Sequence, residues 1–382
     1  MGDLMPAEAF APGTYLQEML DGRGWTQAEF AEIIGRPVKT VNQIINGKAA
    51  ITPTTAKEFG VALGTSAMLW LNLEASFQLH HAPEPAAPRI ARHARLRGRY
   101  PVREMVNRGW IAASSDPDVL EQQVLRFFGV GDLEATPSLA HAAKKTGYPE
   151  DLNGAQLAWL FRVRQIAGAM TVPPYSEKRL REAIPALADL LLSPEEVRHV
   201  PRVLAECGVR FVVVEHVPSS KIDGVCFWLD RKPAAPVIGM SLRRDKIDNF
   251  WFVLRHEIEH VLQKHGRDVA IIDSDMTEPG ADGIPAVVPS EEERLANAAA
   301  AEFCVPAAEL DDFILRTRPL FSEQKVTNFA HRLRVHPGLV VGQLQRRLGH
   351  WRLLGHQLVK VRHLIAPVAM TDGYGQTLPL TP

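Results

Sequence analysis

Residues 256–260 read His-Glu-Ile-Glu-His inside a mostly apolar run from Asn249 to Leu262. On a helix, residues four apart stand one above the other on the same face. The two imidazoles can then grip one metal ion, and Glu257 stands beside it to handle protons. A helix apolar on most of its circumference has to be packed inside protein, so its polar residues face other side chains rather than bulk water. The spacing predicts Asp248 as the N-cap and Gly266 as the C-terminal stop.

A catalytic zinc takes three protein ligands and keeps a fourth position for water. A suitable third ligand lies downstream. Residues Glu291 to Pro306 read as a helix with Ser290 as N-cap and an alanine-rich body. Glu293 and Asn297 share one face of it. A Glu ligand with an amide one turn later fits a metal site, because the amide can orient a ligand imidazole. On spacing alone, Glu293 serves equally well as an acidic first-turn residue favoured by the helix dipole.

The H-E-x-x-H pair plus Glu293-x-x-Ala296-Asn297-x-x-Ala300, closing in Val305-Pro306, resembles the ImmA/IrrE family of zinc metallopeptidases. The resemblance implies one zinc per chain held by His256, His260 and Glu293, with Glu257 as general base. Family members commonly carry Gly where this chain has Glu259, so a carboxylate is added to the metal helix.

Residues 12 to 79 parse into five short helices. Thr26-Gln27-Ala28-Glu29 is a capping box opening the second. Gly35-Arg36-Pro37 turns the chain into the third, which Gly47 closes. Two helices joined by a Gly-containing turn follow the helix-turn-helix plan, whose second helix enters the major groove. Val38, Lys39, Thr40 and Gln43 are the candidate contacts, and Gln27 is placed to bond a backbone phosphate. Residues 1–83 carry five Lys/Arg against eight Asp/Glu, a balance of 5 − 8 = −3, so such a module binds weakly by charge alone. Yet four of the five basic residues lie between 36 and 57. Gly35 to Lys48, together with Leu69 to Ala75, resembles the HigA-like antidote branch of the XRE repressors. That resemblance implies a double-stranded DNA operator read by a homodimer.

The bulk properties narrow the rest. The chain has 382 residues, enough for two or three domains, and a net charge of −1 that steers it to neither nucleic acid nor membrane. Three cysteines without metal-like spacing, no membrane-length apolar run and no signal-peptide pattern indicate a cytoplasmic protein. The expected fold is α+β and mostly α. It has a five-helix helix-turn-helix domain (1–81), a basic linker (82–103), a helical middle region (104–207), a zincin-like peptidase domain (208–366) and a loose tail (367–382). Six arginines from Arg89 to Arg103 either touch DNA phosphates or, the favoured alternative, make ion pairs to the chain itself. The middle region carries a capping box at Ser193 to Glu196. Strand signals at Arg210–Val214, Gly224–Leu229 and Pro236–Leu242 predict a small three-stranded sheet beside the metal helix. Residues Arg334 to Gln345 resemble the end segment of proteins that fuse this repressor module to an ImmA/IrrE domain.

These readings lead to a transcriptional regulator with a built-in zinc endopeptidase acting on a repressor, an antitoxin or itself. A regulator or antitoxin whose zinc domain is a non-catalytic sensor is the main rival, and a zinc hydrolase acting on a non-peptide bond is the third. Arg243, His331 and His336 are the candidates for stabilising an oxyanion.

Overall fold

The computed structural model describes residues 10–83, 87–135, 137, 152–229, 234–267, 270–274, 290–376 and 378. The chain divides into two compact units, residues 1–90 and 91–382.

Five helices build the first unit: α1 (Pro12–Asp21), α2 (Gln27–Ile33), α3 (Val38–Ile45), α4 (Pro53–Leu63) and α5 (Ala67–His81). Side chains that satisfy the free N–H groups of the first turn set where they start. Thr26 accepts the Glu29 N–H, and the Glu29 carboxylate takes the Thr26 N–H in return, which is the predicted box. Thr52 and Ser66 cap α4 and α5, each accepting one backbone N–H of the first turn. The buried faces of all five helices meet in one core that includes Leu16, Leu20, Phe30, Val41, Ile44, Phe59 and Trp70. Phe59 and Trp70 pack edge to face, with ring centres 5.2 Å apart. Gly13 lets α1 close on the end of α3, since a Cβ there would collide with the Ile44 carbonyl oxygen.

The division at residue 90 falls within α6 (Ala87–Arg99), a helix where a linker is expected. Two of its arginines are engaged by carboxylates within the chain: Arg92 meets Asp118 at 2.8 Å and Glu121 at 3.0 Å, and Arg95 meets Glu134 at 2.6 Å. Leu96 is buried, so this helix has a core side as well as a basic one. Helices α7 (Val102–Asn107), α8 (Pro117–Phe128), α9 (Gly154–Ala169), α10 (Glu177–Asp189) and α11 (Val200–Glu206) follow.

The sheet is mixed and has five strands, not three: β1 (Arg210–Val214), β2 (Ile222–Leu229), β3 (Ala235–Met240), β4 (Ile271–Ser274) and β5 (Met370–Asp372), in the order β4-β2-β3-β1-β5. β1 runs parallel to β3 and β5, while β2 is antiparallel to β3 and β4. Two cores lie on its two faces. Val212, Val214, Val225 and Val237 pack with α9, whereas Phe211, Val213, Cys226 and Ile238 pack with α12 (Ile247–Leu262). Because side chains alternate along a strand, the unbroken run Arg210-Phe211-Val212-Val213-Val214 serves both. Helices α13 (Glu291–Cys304), α14 (Ala307–Thr317), α15 (Glu323–Leu333), α16 (Pro337–Leu348) and α17 (Arg362–Ile365) complete the unit.

Three local expectations change. Helix α12 starts at Ile247, one residue before the expected cap; Asp248 is instead a buried first-turn residue whose carboxyl is pushed up in pKa by burial, against the opposing charge of Arg346. The Ser193 hydroxyl bonds the Glu195 side chain, and Pro194–His199 winds as a 3-10 turn without a side-chain cap. The expected tail contributes β5 and Asp372, which accepts Trp110 Nε1 at 2.8 Å and also bonds Arg162. Residues 379–382 of that tail lie outside the described residues.

Candidate metal centre and helix-turn-helix module

Helix α12 is buried along nearly its whole length, as its apolar circumference requires. His256, Glu257 and His260 are each 0% exposed. Across from them, α13 opens with Ser290 capping the Glu293 N–H, which fixes Glu293 in the first turn. The two helices pack so that three side chains converge. His256 Nε2 and His260 Nε2 are 2.8 Å apart, and each lies 3.4 Å from a Glu293 carboxylate oxygen. Ligand atoms about 2.0–2.1 Å from a tetrahedral zinc are separated by about 3.3 Å, so these spacings and this nitrogen–oxygen donor set fit a small divalent cation. The two α12 histidines and Glu293 also form one of two groups of potential ligands among the described residues. In the other, His93, Asp118 and Glu121, the carboxylates already face Arg92.

Glu257 projects toward β2. Gly224 makes room for it, because a Cβ at 224 would collide with Glu257 Oε1 and press on Val253. The extra carboxylate of this chain, Glu259, is held by Arg255 at 2.8 Å and Gln263 at 2.6 Å. Burial pushes its pKa up, but those hydrogen bonds outweigh burial and leave it below the usual value.

Two side chains bear on how the imidazoles of α12 are held. Asn297 is half-buried and makes no side-chain hydrogen bond among the described residues. His265 lies against the His260 ring: its Nδ1 is 3.0 Å from His260 Nδ1. The chain doubles back just after α12 through Lys264, at φ 62°, and Gly266, at φ 74°. Trp228 Nε1 then ties down the His265 carbonyl at 2.7 Å. A histidine beside the left-handed turn that ends the helix was the available signal.

The three oxyanion candidates have different settings. Arg243 is engaged in a two-point pair with Asp223 at 3.0 and 3.2 Å. His336 caps α16, accepting the Gly338 N–H at Nδ1. His331 is exposed in the last turn of α15.

In the first unit, α2 and α3 form the helix–turn–helix. Val41 and Ile44 face the core, while Val38 (47% exposed) and Lys39 face outward and Thr40 and Gln43 are half-buried. Gln27 is fixed between two neighbours, donating to Gln17 at 2.9 Å and accepting from Asn42 at 3.1 Å. Arg36 pairs with Glu58 at 2.5 Å, which takes one cation from the set near α3.

A family model described as helix-turn-helix matches residues 16–70. YddM of Escherichia coli (strain K12), described as an uncharacterized HTH-type transcriptional regulator, is 37% identical over 71 residues, covering 19% of this chain and 76% of YddM. Among solved structures, an addiction module antidote protein of a HigA family from Coxiella burnetii is 27% identical, over 19% of this chain and 79% of that one, with a TM-score of 0.18. The Pseudomonas aeruginosa antitoxin HigA, solved with the higBA promoter, is 26% identical over 21% and 99%, also with a TM-score of 0.18. The paired α2 and α3 helices and the family match define a helix-turn-helix regulator. Through this module the chain belongs to the HTH-type transcriptional regulator family represented by YddM. Among the described residues, no helix is long and apolar enough to cross a membrane.

Proposed function

We propose that this regulator binds an operator through α3 and carries, in its second unit, a zinc-dependent endopeptidase of the ImmA/IrrE kind. Its substrate is a regulatory protein: a partner repressor or antitoxin, or the chain itself between residues 80 and 104. The observation that carries the reading is the convergence of His256 Nε2, His260 Nε2 and the Glu293 carboxylate beside Glu257.

On DNA, the exposed start of α3 supplies Val38 and Lys39, with Thr40 and Gln43 one face away, for the major groove. Gln27, held by Gln17 and Asn42, is poised for a phosphate at the start of α2. Two copies reading two half-sites offset the low positive charge of one module.

In the second unit His256, His260 and Glu293 would hold the metal, which when bound lowers the pKa of a coordinated water and polarises a carbonyl. Glu257 takes the proton of the attacking water and returns it to the departing amide nitrogen. Gly224 keeps the space that carboxylate needs. His265 holds the His260 ring from behind.

The test compares wild type with Glu257→Gln. The variant retains zinc, measured by plasma mass spectrometry, and loses cleavage of the regulatory protein. Identical proteolysis patterns for the two proteins, in cells and in vitro under every inducing condition, would overturn the peptidase.

One observation favours a second reading. The two histidines and Glu257 are fully buried, so a peptide can reach the cluster only past the partly exposed Glu293. On that second reading the second unit senses or dimerises without turnover. Operator binding and repression then survive Glu257→Gln, and no cleaved species forms from wild type.

A further inference from the structure

Three adjoining cavities on the α8–α9 side of the second unit, about 830, 580 and 420 Å³ in volume, share one side chain, Arg126. Cavities of about 300–1,000 Å³ with apolar walls and a few polar groups are the usual form of small-molecule sites. The walls here are aromatic. Trp110 and Phe127 stack nearly parallel, at 11° and 5.9 Å between ring centres, in the largest cavity. Phe127, Phe128 and Phe161 line the smallest. The walls are also fixed in place. Gln165 Nε2 donates to the Phe127 carbonyl at 3.1 Å, and Gln123 accepts the Ala112 N–H at 2.5 Å.

The charges point to the ligand. Arg126 and Arg164 both line the smallest cavity, one from α8 and one from α9. Among the described residues, neither makes an ion pair or a side-chain hydrogen bond; Arg164 meets only the Phe161 ring, at 5.9 Å. Arg162, in the wall of the largest cavity, behaves differently: Asp372 and the Leu378 carbonyl engage it. Among the described residues the one carboxylate lining these cavities is Asp118, which Arg92 already meets at 2.8 Å, so two guanidinium groups beside an aromatic wall suit an anion with a flat apolar body.

We propose that these cavities form a binding site for a small organic anion, a carboxylate or phosphate carried on an aromatic or similarly flat apolar body. The anionic head lies between Arg126 and Arg164, and the body lies along Phe127 toward Trp110. The site is separate from the metal triad: α9 packs on the sheet face formed by Val212 and Val214, and α12 packs on the face formed by Phe211 and Val213. The inference therefore does not depend on peptidase activity.

The experiment uses the full chain and the fluorescent aromatic sulfonate 8-anilinonaphthalene-1-sulfonate as probe. Wild type binds it saturably, at one site per chain. Arg126→Gln and Arg164→Gln each weaken binding about tenfold, the size of one charge-assisted contact. Ala112→Trp, which fills space common to the two larger cavities, also weakens it. Circular dichroism melts establish that each variant is folded. Nile red, a neutral dye, is unaffected by either arginine change. Displacement of the probe by phenyl phosphate at lower concentration than by 4-phenylbutyrate assigns a phosphate head, and the reverse order assigns a carboxylate. Non-saturating binding, or affinities within twofold of wild type in both arginine variants, overturns the proposal.

Discussion

Glu257 lies against the backbone of Gly224, so closely that a methyl group at Gly224 would occupy the position of its carboxylate oxygen. The Gly224→Ala variant has to shift either β2 or the Glu257 side chain. Overpacking of this kind costs about 1–3 kcal/mol, which a urea midpoint will register. Zinc content should stay at the wild-type level, because the three ligands are not touched. Under the peptidase reading, cleavage falls more than stability does. A variant as stable as wild type shows that the strand yields freely, and the tight fit then has no functional weight.

His265 meets His260 from the side opposite the converging Nε2 atoms. Groups that orient a ligand histidine are worth about 10- to 100-fold in metal affinity. His265→Ala is expected to weaken zinc binding by that factor in competition with a chromogenic chelator. Trp228→Phe, which frees the His265 carbonyl, moves affinity the same way by less. Unchanged affinity in both variants means that the His260 ring is positioned by its own packing.

His336 gives stability a dependence on pH. Burial depresses its pKa below about 6.5, against the opposing pull of Glu195. The neutral ring accepts the Gly338 N–H at 3.0 Å, and the protonated ring cannot. Because the folded value lies below the unfolded one, this stabilisation is fully present above pH about 6.5 and is lost as pH falls through the depressed value. Asn caps a helix without titrating. His336→Asn therefore flattens the acid side of the urea-midpoint profile and leaves stability at pH 8 near wild type. Parallel wild-type and variant profiles refute the assignment.

Lys39 and Gln43 separate charge from sequence reading. Lys39→Ala should weaken binding to any duplex and lower the slope of log affinity against log salt by about 1. Gln43→Ala should cost about 1–3 kcal/mol on the preferred operator and little on random DNA. Fluorescence anisotropy at several salt concentrations distinguishes them. Equal losses on both duplexes for Gln43→Ala remove it from base reading.

Many features written in neighbouring residues were legible, although the Ser193 box and the Asp248 cap were misread. The Thr26 box, the Ser66 and Ser290 caps, and the facing histidines of α12 depend on spacings of three or four residues, and the structure has all of them. Glu293 is different: its spacing suits an acidic helix start equally well, and only the family resemblance singled it out. Long-range pairings could not be read. Asp372 and Trp110 are 262 residues apart, and β5 is three residues long, too short for alternation to show. The His265 contact depends on a left-handed turn at Lys264, which no propensity requires of lysine. Ion pairs to the chain itself were the favoured reading of the arginines near residue 95, and they form, but which carboxylates, those of α8 and the segment after it, was not legible.

The last strand of the sheet also sets a timetable. β1 cannot gain its β5 neighbour until residues 370–372 have been made, whereas α5, the last helix of the first unit, ends at His81. The interval is 372 − 81 = 291 residues. At roughly 5–20 residues per second, that is on the order of 15–60 s. On each nascent chain, the helix-turn-helix end can be folded while Arg162 and Trp110 still wait for Asp372.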